Sequence, residues 1–512
     1  MFRKSLRHIL NLSLSTLASR LLGLLRDVVM MSALGTGIFS SAFLLAFTVP
    51  NLFRRLLGEG ALSSAFTPVF TGLVQNKRIR DAWQTANQTL TYLAIVTGAI
   101  ILIGVLSMEG ALRAGWLGSD WEVAVPFFQW LLPYTLLICM AAILTAALNS
   151  LGKFLIASFS PILLNIAMIG AIVLGGFVWK QEPRALAFTL CGGVLAGGCL
   201  QLLLPALQAL ASGWKPAIDT SHTPHLLEVK TLFLTATVGA AVIQLNTLIS
   251  RILAYKVSED AVAQLYLASR MTELPLGMFS VAIYTVLFPL LARHSAANDR
   301  QAFSETFENG TILTLIITLP AMFGLAVLAE PIISLLFVWG RFEADQVAQI
   351  GPLLAIHAIG IPFYSLIALT IRGFHASKDM KSPVRIAVYS LFFNTALSVA
   401  LMYPFGVIGL ACANTITAIL QTLFLFGSFR RHHFSIPIGS VLAQTARILA
   451  ISAVMGGTCW ILRLWWLPNP ENASKVTLAV ATSGIILSGV AIYAALVWAS
   501  GLKTSILRWL KK

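Results

Sequence analysis

The chain has 512 residues, of which 57% are hydrophobic and only 11% charged, and its formal net charge is +15. A soluble domain carries about 25% charged residues, so this composition, with a mean hydropathy of +0.84, excludes one and defines a polytopic membrane protein. The basic surplus would otherwise point to nucleic acid. Here the cations gather in short loops between apolar runs, as the positive-inside rule requires, which argues against that class of partner.

Apolar runs long enough to cross a bilayer recur along the chain. They fall at residues 7–34, 37–58, 84–107, 123–148, 155–179, 185–210, 227–253, 260–291, 305–329, 346–371, 383–403, 406–429, 440–466 and 475–500. The expected fold class is therefore an all-α polytopic membrane protein of about 14 transmembrane helices. The first run resembles a signal peptide but continues past Arg20 without a small-residue cleavage site, so it is expected to be retained. Residues 59–73 look like a weaker apolar tail, and residues 331–345 like a short apolar loop.

Alternate loops differ in charge. One set holds Arg3, Lys4, Lys77, Arg78, Arg80, Lys153, Lys215, Arg372, Lys378, Lys381, Arg430 and Arg431. The other holds few cations, among them Arg341 and Arg463, and acids such as Glu109, Asp120, Glu330 and Glu343. The bias predicts that both termini are cytoplasmic.

The chain also repeats. Pro68 in FTPVF matches Pro289 in LFPLL (289−68 = 221), and Pro161 in FSPILL matches Pro383 in KSPVRI (383−161 = 222). Ala82-Trp83 matches Ala302-Phe303, and Leu200-Gln201 matches Leu420-Gln421, each at an offset of 220. The expected organisation is two six-helix lobes, residues 1–225 and 226–435, with an appended helix pair in 436–512. Substrate sites in such duplicated transporters lie at the interface of the repeats.

The charges inside apolar runs are the functional clue. An Arg or Asp at mid-bilayer costs roughly 2.5–3.5 kcal/mol by insertion scales. Yet Ser19–Glu59 carries Arg20, Arg26, Asp27, Arg54, Arg55 and Glu59, and YLASRMTELPLGMF adds Arg270 and Glu273. Arg20 and Asp27, seven apart, share a helix face, with Arg26 pointing elsewhere unless Gly23 lets the helix bend. Arg55 and Glu59 are four apart, Arg270 and Glu273 three apart, and both spacings allow pairing. Pro50 and Pro275 should kink their helices beside these charges. Arg251, toward the end of the seventh run, is open to either a structural or a functional role.

The arginines Arg20, Arg26, Arg54, Arg55 and Arg270 give +5, and Asp27, Glu59 and Glu273 give −3, a surplus of +2. A diphosphate would neutralise it, and guanidinium groups suit phosphate oxygens. The competing interpretation is internal salt bridges with snorkelling arginines near the interfaces. Cys139, Cys191, Cys199, Cys412 and Cys459 read as small core residues with no metal-ligand spacing. No nucleotide-binding, hydrolase or metalloprotease motif is present, His357 reads as a satisfied polar residue, and no metal, cofactor or enzymatic activity is expected.

SRLLGLLRD, ALGTG, SSAFLLAFTVPNLFRRLLGEGALSSAFTPVF, ASRMTELPLG and FHASKDMKSPVRIA together resemble the MurJ (MviN) lipid II flippases of the multidrug/oligosaccharidyl-lipid/polysaccharide exporter superfamily. The resemblance implies transport of lipid II, undecaprenyl-diphosphate carrying a disaccharide-pentapeptide, from the inner to the outer leaflet of the bacterial cytoplasmic membrane. It implies diphosphate or head-group contacts at Arg20, Arg26 and Arg270, with Arg54 and Arg55 alongside, and charge pairing or gating by Asp27, Glu59 and Glu273. The thirteenth and fourteenth helices would hold the polyprenyl tail, and cell-wall synthesis machinery is a candidate partner. Two departures stand out. Ser41 replaces the Asp usual in the family, and Gln244, Asn246, Asn394 and Ser398 leave no carboxylate where some members bind sodium. Sodium coupling is therefore not carried over; membrane potential, worth about 2.3 kcal/mol per charge per 100 mV, is one candidate driver. The alternatives are export of another polyprenyl-diphosphate-linked saccharide, a drug exporter, which the arginines disfavour, and a non-transporting paralogue.

Overall fold

The computed structural model describes residues 2–58, 60–432, 438–467 and 474–501. Among them the chain is helical, with loops and three π-helical turns and no strand. The first helices are α1 (Phe2–Leu34), α2 (Ile38–Phe53), α3 (Ala61–Gln75), α4 (Ile79–Arg113), α5 (Trp121–Ser150), α6 (Leu155–Ile172), α7 (Pro183–Leu210) and α8 (Pro224–Val257). There follow α9 (Ala261–Pro275), α10 (Val281–Ala296), α11 (Arg300–Val327), α12 (Ala329–Phe337), α13 (Ala344–Ala376), α14 (Lys381–His432), α15 (Ile438–Trp466) and α16 (Lys475–Ala499). Nine helices among the described residues are long and apolar enough to cross a membrane. Their outward side chains include Leu102, Ile103, Tyr389, Phe392 and Leu487, all exposed, as a lipid-facing surface requires.

Local chemistry sets the boundaries. Gly35 at φ 69° ends α1, Pro183 opens α7, and the Asp299 carboxylate accepts from the Ala302 N–H to cap α11. Gly406 at φ 57° breaks α14 where the sequence separates the eleventh and twelfth runs.

Two expectations are corrected. Residues 59–73 are not a tail, because α3 buries Leu62, Ala65, Phe66, Val69, Phe70 and Leu73 at helical spacing. Within 331–345 the chain is helical through Phe337, since Pro331 falls in the first turn of α12 and Ile333 and Phe337 share its buried face. Cys199 also departs from the core assignment: it is exposed, whereas Cys139, Cys191 and Cys459 are buried.

Packing divides the chain into two compact units. The first runs through Tyr255 and includes Trp339–Phe342; the second takes Lys256–Val338 and the chain from Glu343 onward. The repeat assigns α8 to the second lobe, whereas by packing most of α8 belongs to the first unit. The Tyr255 hydroxyl donates to the Asp120 carbonyl at 2.6 Å, and its ring meets Trp121 edge-on at 5.5 Å. In the first unit α5 packs against α2, α3, α4 and α7; in the second α13 packs against α9, α10, α11 and α14. These central helices start at Trp121 and Ala344, an offset of 344−121 = 223, within a few residues of the sequence repeat.

The loop after α7 is strapped along α4. Trp214 Nε1 donates to Asn87 Oδ1 at 2.6 Å, Gln88 Nε2 to Ser221 Oγ at 2.7 Å, and the Tyr92 hydroxyl to the Thr220 carbonyl at 2.8 Å.

Candidate functional site

In the first unit the charges on α1 are held by α6. Arg26 Nη2 lies 2.5 Å and Nε 3.0 Å from Asp27 Oδ1. Arg26 Nη1 donates to Asn165 Oδ1 at 3.2 Å, and Asn165 Nδ2 donates back to the Ser19 carbonyl at 3.3 Å. Asp27 is 0% exposed and Arg26 12% exposed, so this pair is closed to solvent. Here the expectation for Arg26 is corrected. Adjacent residues diverge on a helix, but the guanidinium stem is long enough to curl back onto the neighbouring carboxylate. Arg20, by contrast, is half-buried and makes no ion pair among the described residues.

Pro50 does not break its helix. It removes one backbone donor, and α2 continues into a π-helical turn at Arg54–Gly58. Arg54 is half-buried with Nε donating to Asn51 Oδ1 at 3.3 Å, and Arg55 is exposed. The chain then turns tightly at Gly60, where a Cβ would sit 2.5 Å from the Arg55 carbonyl oxygen. The expected partner of Arg55, Glu59, lies outside the described residues. Beyond Gly60, an open, mostly apolar groove of about 730 Å³ runs along one face of α3, lined by Ser63, Ser64, Thr67, Pro68, Thr71 and Gln75, with no charged residue.

The second unit repeats the device. Pro275 closes α9 and a π-helical turn follows at Leu276–Ser280. The two turns start at Arg54 and Leu276, an offset of 276−54 = 222, again the sequence repeat. Arg270 Nη1 lies 2.8 Å from Glu273 Oε2, with side chains 24% and 49% exposed. This pair is open where Arg26–Asp27 is closed. π-helical turns occur often at functional sites, and here both adjoin membrane arginines.

The remaining candidates fall elsewhere. Ser41 is fully buried in α2. Asn394 is buried and bonded to Asn414 and Thr417, each at 3.2 Å. His357 is buried with Nδ1 2.9 Å from the Leu353 carbonyl, a satisfied polar residue. Among the described residues no group of three His, Cys, Asp or Glu could hold a metal ion. Two residues had no assigned role in the sequence. Arg251 on α8 reaches the Leu44 carbonyl at 3.0 Å and Thr48 Oγ1 at 2.5 Å. Asn165 orients Arg26; its only sequence signal is an amide in an apolar run after Pro161.

A duplicated, all-helical, multi-pass membrane protein with arginines beside a π-helical turn in each repeat has the architecture of a transporter. A family profile described as Lipid II flippase MurJ matches residues 30–480, and the chain belongs to that family. The probable lipid II flippase MurJ of Rhizobium meliloti is 31% identical over 498 residues, covering 95% of this chain and 92% of the relative. A solved structure described as lipid II flippase MurJ in an inward closed conformation aligns with a TM-score of 0.80 at 25% identity, over 97% of this chain and 99% of that one. An inward-facing multidrug resistance MATE family transporter of the MOP superfamily shares the fold, with a TM-score of 0.67 at 15% identity over 82% of this chain and 97% of its own. Arg20, Arg26 and Asp27 precede the matched range, so their assignment rests on their own surroundings.

Proposed function

We propose that this chain is a lipid II flippase that carries undecaprenyl-diphosphate-linked peptidoglycan precursor from the inner to the outer leaflet of the bacterial cytoplasmic membrane, with both termini cytoplasmic. Membership of the MurJ family across residues 30–480 carries this reading. The electrostatics agree with it. A diphosphate brings negative charge to guanidinium donors, and Arg20 and Arg270 are its proposed contacts, with Arg54 and Arg55 beside them; Arg26, expected from the sequence to join them, is sealed against Asp27 and serves instead to position α1. Arg270 is the readiest of these, because its Glu273 partner is half open to solvent. Exposed apolar faces of α15 and α16, among them Leu464, Val476, Val480 and Leu487, suit the polyprenyl tail.

Transport proceeds by alternating access and leaves the substrate chemically unchanged, so the protein acts as a transporter rather than an enzyme. Ser41, where the family resemblance implies an Asp, is the one feature that favours a non-transporting paralogue.

Expression in cells depleted of their native lipid II flippase tests the proposal. Restored growth and lipid II export are expected. Failure to restore them, with the protein inserted and folded, would overturn it, and export of a different lipid-linked saccharide would redirect it.

A further inference from the structure

Within the second unit the pair α15–α16 packs on α11 and α12 over a largely apolar face. Ile448 and Val497 pack with Ile312, Leu315, Ile316 and Leu319, and Met455, Cys459 and Ile485 pack with Leu328. Inside lipid such a face has no hydrophobic drive of its own, so close packing and polar contacts set its register. Polar contacts occur at three levels. Ser440 Oγ donates to Glu308 Oε1 at 2.5 Å near one end, and the Tyr493 hydroxyl donates to the Ile316 carbonyl at 2.6 Å along its length.

The third level carries two cations. Arg463 Nη1 donates to the Val327 carbonyl at 2.8 Å, its Nη2 pairs with Glu330, and Lys475 Nζ donates to the Ser334 carbonyl at 2.8 Å. Val327 is the last residue of α11, and Ser334 lies in the last turn of α12. Both carbonyls stand at helix C-termini, where cations are favoured; the Ser334 oxygen also accepts from the Val338 N–H at 3.3 Å, so Lys475 takes its second lone pair. Glu330 stands in the first turn of α12. The two cations therefore grip this short helix at both ends.

We infer that Arg463 and Lys475 are positioning residues that hold α15–α16 in register on α12, and with it the surface that takes the polyprenyl tail. The inference rests on the proposed flippase function. It separates tail from head group: displacing α15–α16 costs a long chain its apolar surface and leaves the arginine contacts to the diphosphate in place.

The test uses the full chain in liposomes, with lipid II carrying an undecaprenyl chain or, as an analogue, a farnesyl chain. Arg463→Ala should slow transport of the undecaprenyl substrate about tenfold, the scale of one lost charge-assisted hydrogen bond, and leave the farnesyl analogue within about twofold. The conservative variant Arg463→Lys keeps a cation within reach of the Val327 carbonyl and Glu330 and should retain most of the transport of the long-chain substrate, which also covers the case of a poorly folded alanine variant. Equal loss for both chain lengths, or no loss for either, would overturn the inference while leaving the flippase function standing. A wild-type protein that moves neither substrate would overturn both.

Discussion

Arg26–Asp27 and Arg270–Glu273 are similar in sequence and opposite in setting. Each joins an arginine to an acid within one turn of an apolar helix. The first is sealed, with Asp27 at 0% exposure and Asn165 on α6 taking a further guanidinium N–H. The second is open, with Glu273 at 49% exposure and a π-helical turn just beyond. Burial decides what a charge pair is for. A sealed pair cannot lose one partner without leaving an uncompensated charge, so it fixes helix position. An open pair costs little to separate, so its arginine can be handed to an anionic ligand.

Substitutions that should break this contrast are graded in size. Asp27→Asn leaves Arg26 buried without its counter-charge and should cost about 3–5 kcal/mol. Thermal unfolding in detergent would show it, and replacing both residues with apolar ones should recover most of the loss. Asn165→Ala removes one hydrogen bond to a charged group, so a cost of roughly 1.5–3 kcal/mol is expected in the same assay. Glu273→Gln should change stability by less than about 1 kcal/mol; a loss as large as that of Asp27→Asn would show that the open pair is structural after all.

Asp219, in the strap on α4, extends the series to a nearly exposed carboxylate. The Ser221 hydroxyl holds its pKa below the ordinary value of 3.8, opposed by burial and helped by the Ser221 N–H, Gln84 and Gln88. A depressed folded pKa contributes stability above the unfolded value, and that contribution disappears as pH falls through the folded value. The protection of the Ser221 amide, its exchange rate relative to the intrinsic rate at the same pH, should therefore fall below about pH 4, weakly because water screens the site. Asp219→Asn should remove the pH dependence.

Much of the fold was legible because apolar runs of bilayer length leave few alternatives. The misassigned parts were elements that hydropathy alone does not reveal. Helix α3 buries only one face, so Ser63, Ser64 and Thr67 dilute its apolar signal. Helix α12 is too short to announce itself. Pro50 and Pro275 marked the places of disturbance, but sequence does not distinguish a kink from the π-helical turn that follows each. At the site, Arg270–Glu273 followed from spacing. Arg26–Asp27 did not, because helical angles place Cβ atoms while a guanidinium reaches beyond them. Asn165 and Arg251 act across helices, to α1 and α2, through contacts that no local pattern encodes.

The central claim is that Arg270 serves the ligand rather than the fold. Transport of lipid II by Arg270→Ala in liposomes, with unfolding temperature measured on the same preparation, tests it most directly. The account predicts transport lower by about tenfold or more, the scale of one lost charge-assisted phosphate contact, at an unfolding temperature close to wild type. Full transport, or a loss of transport that follows a loss of stability, would contradict it.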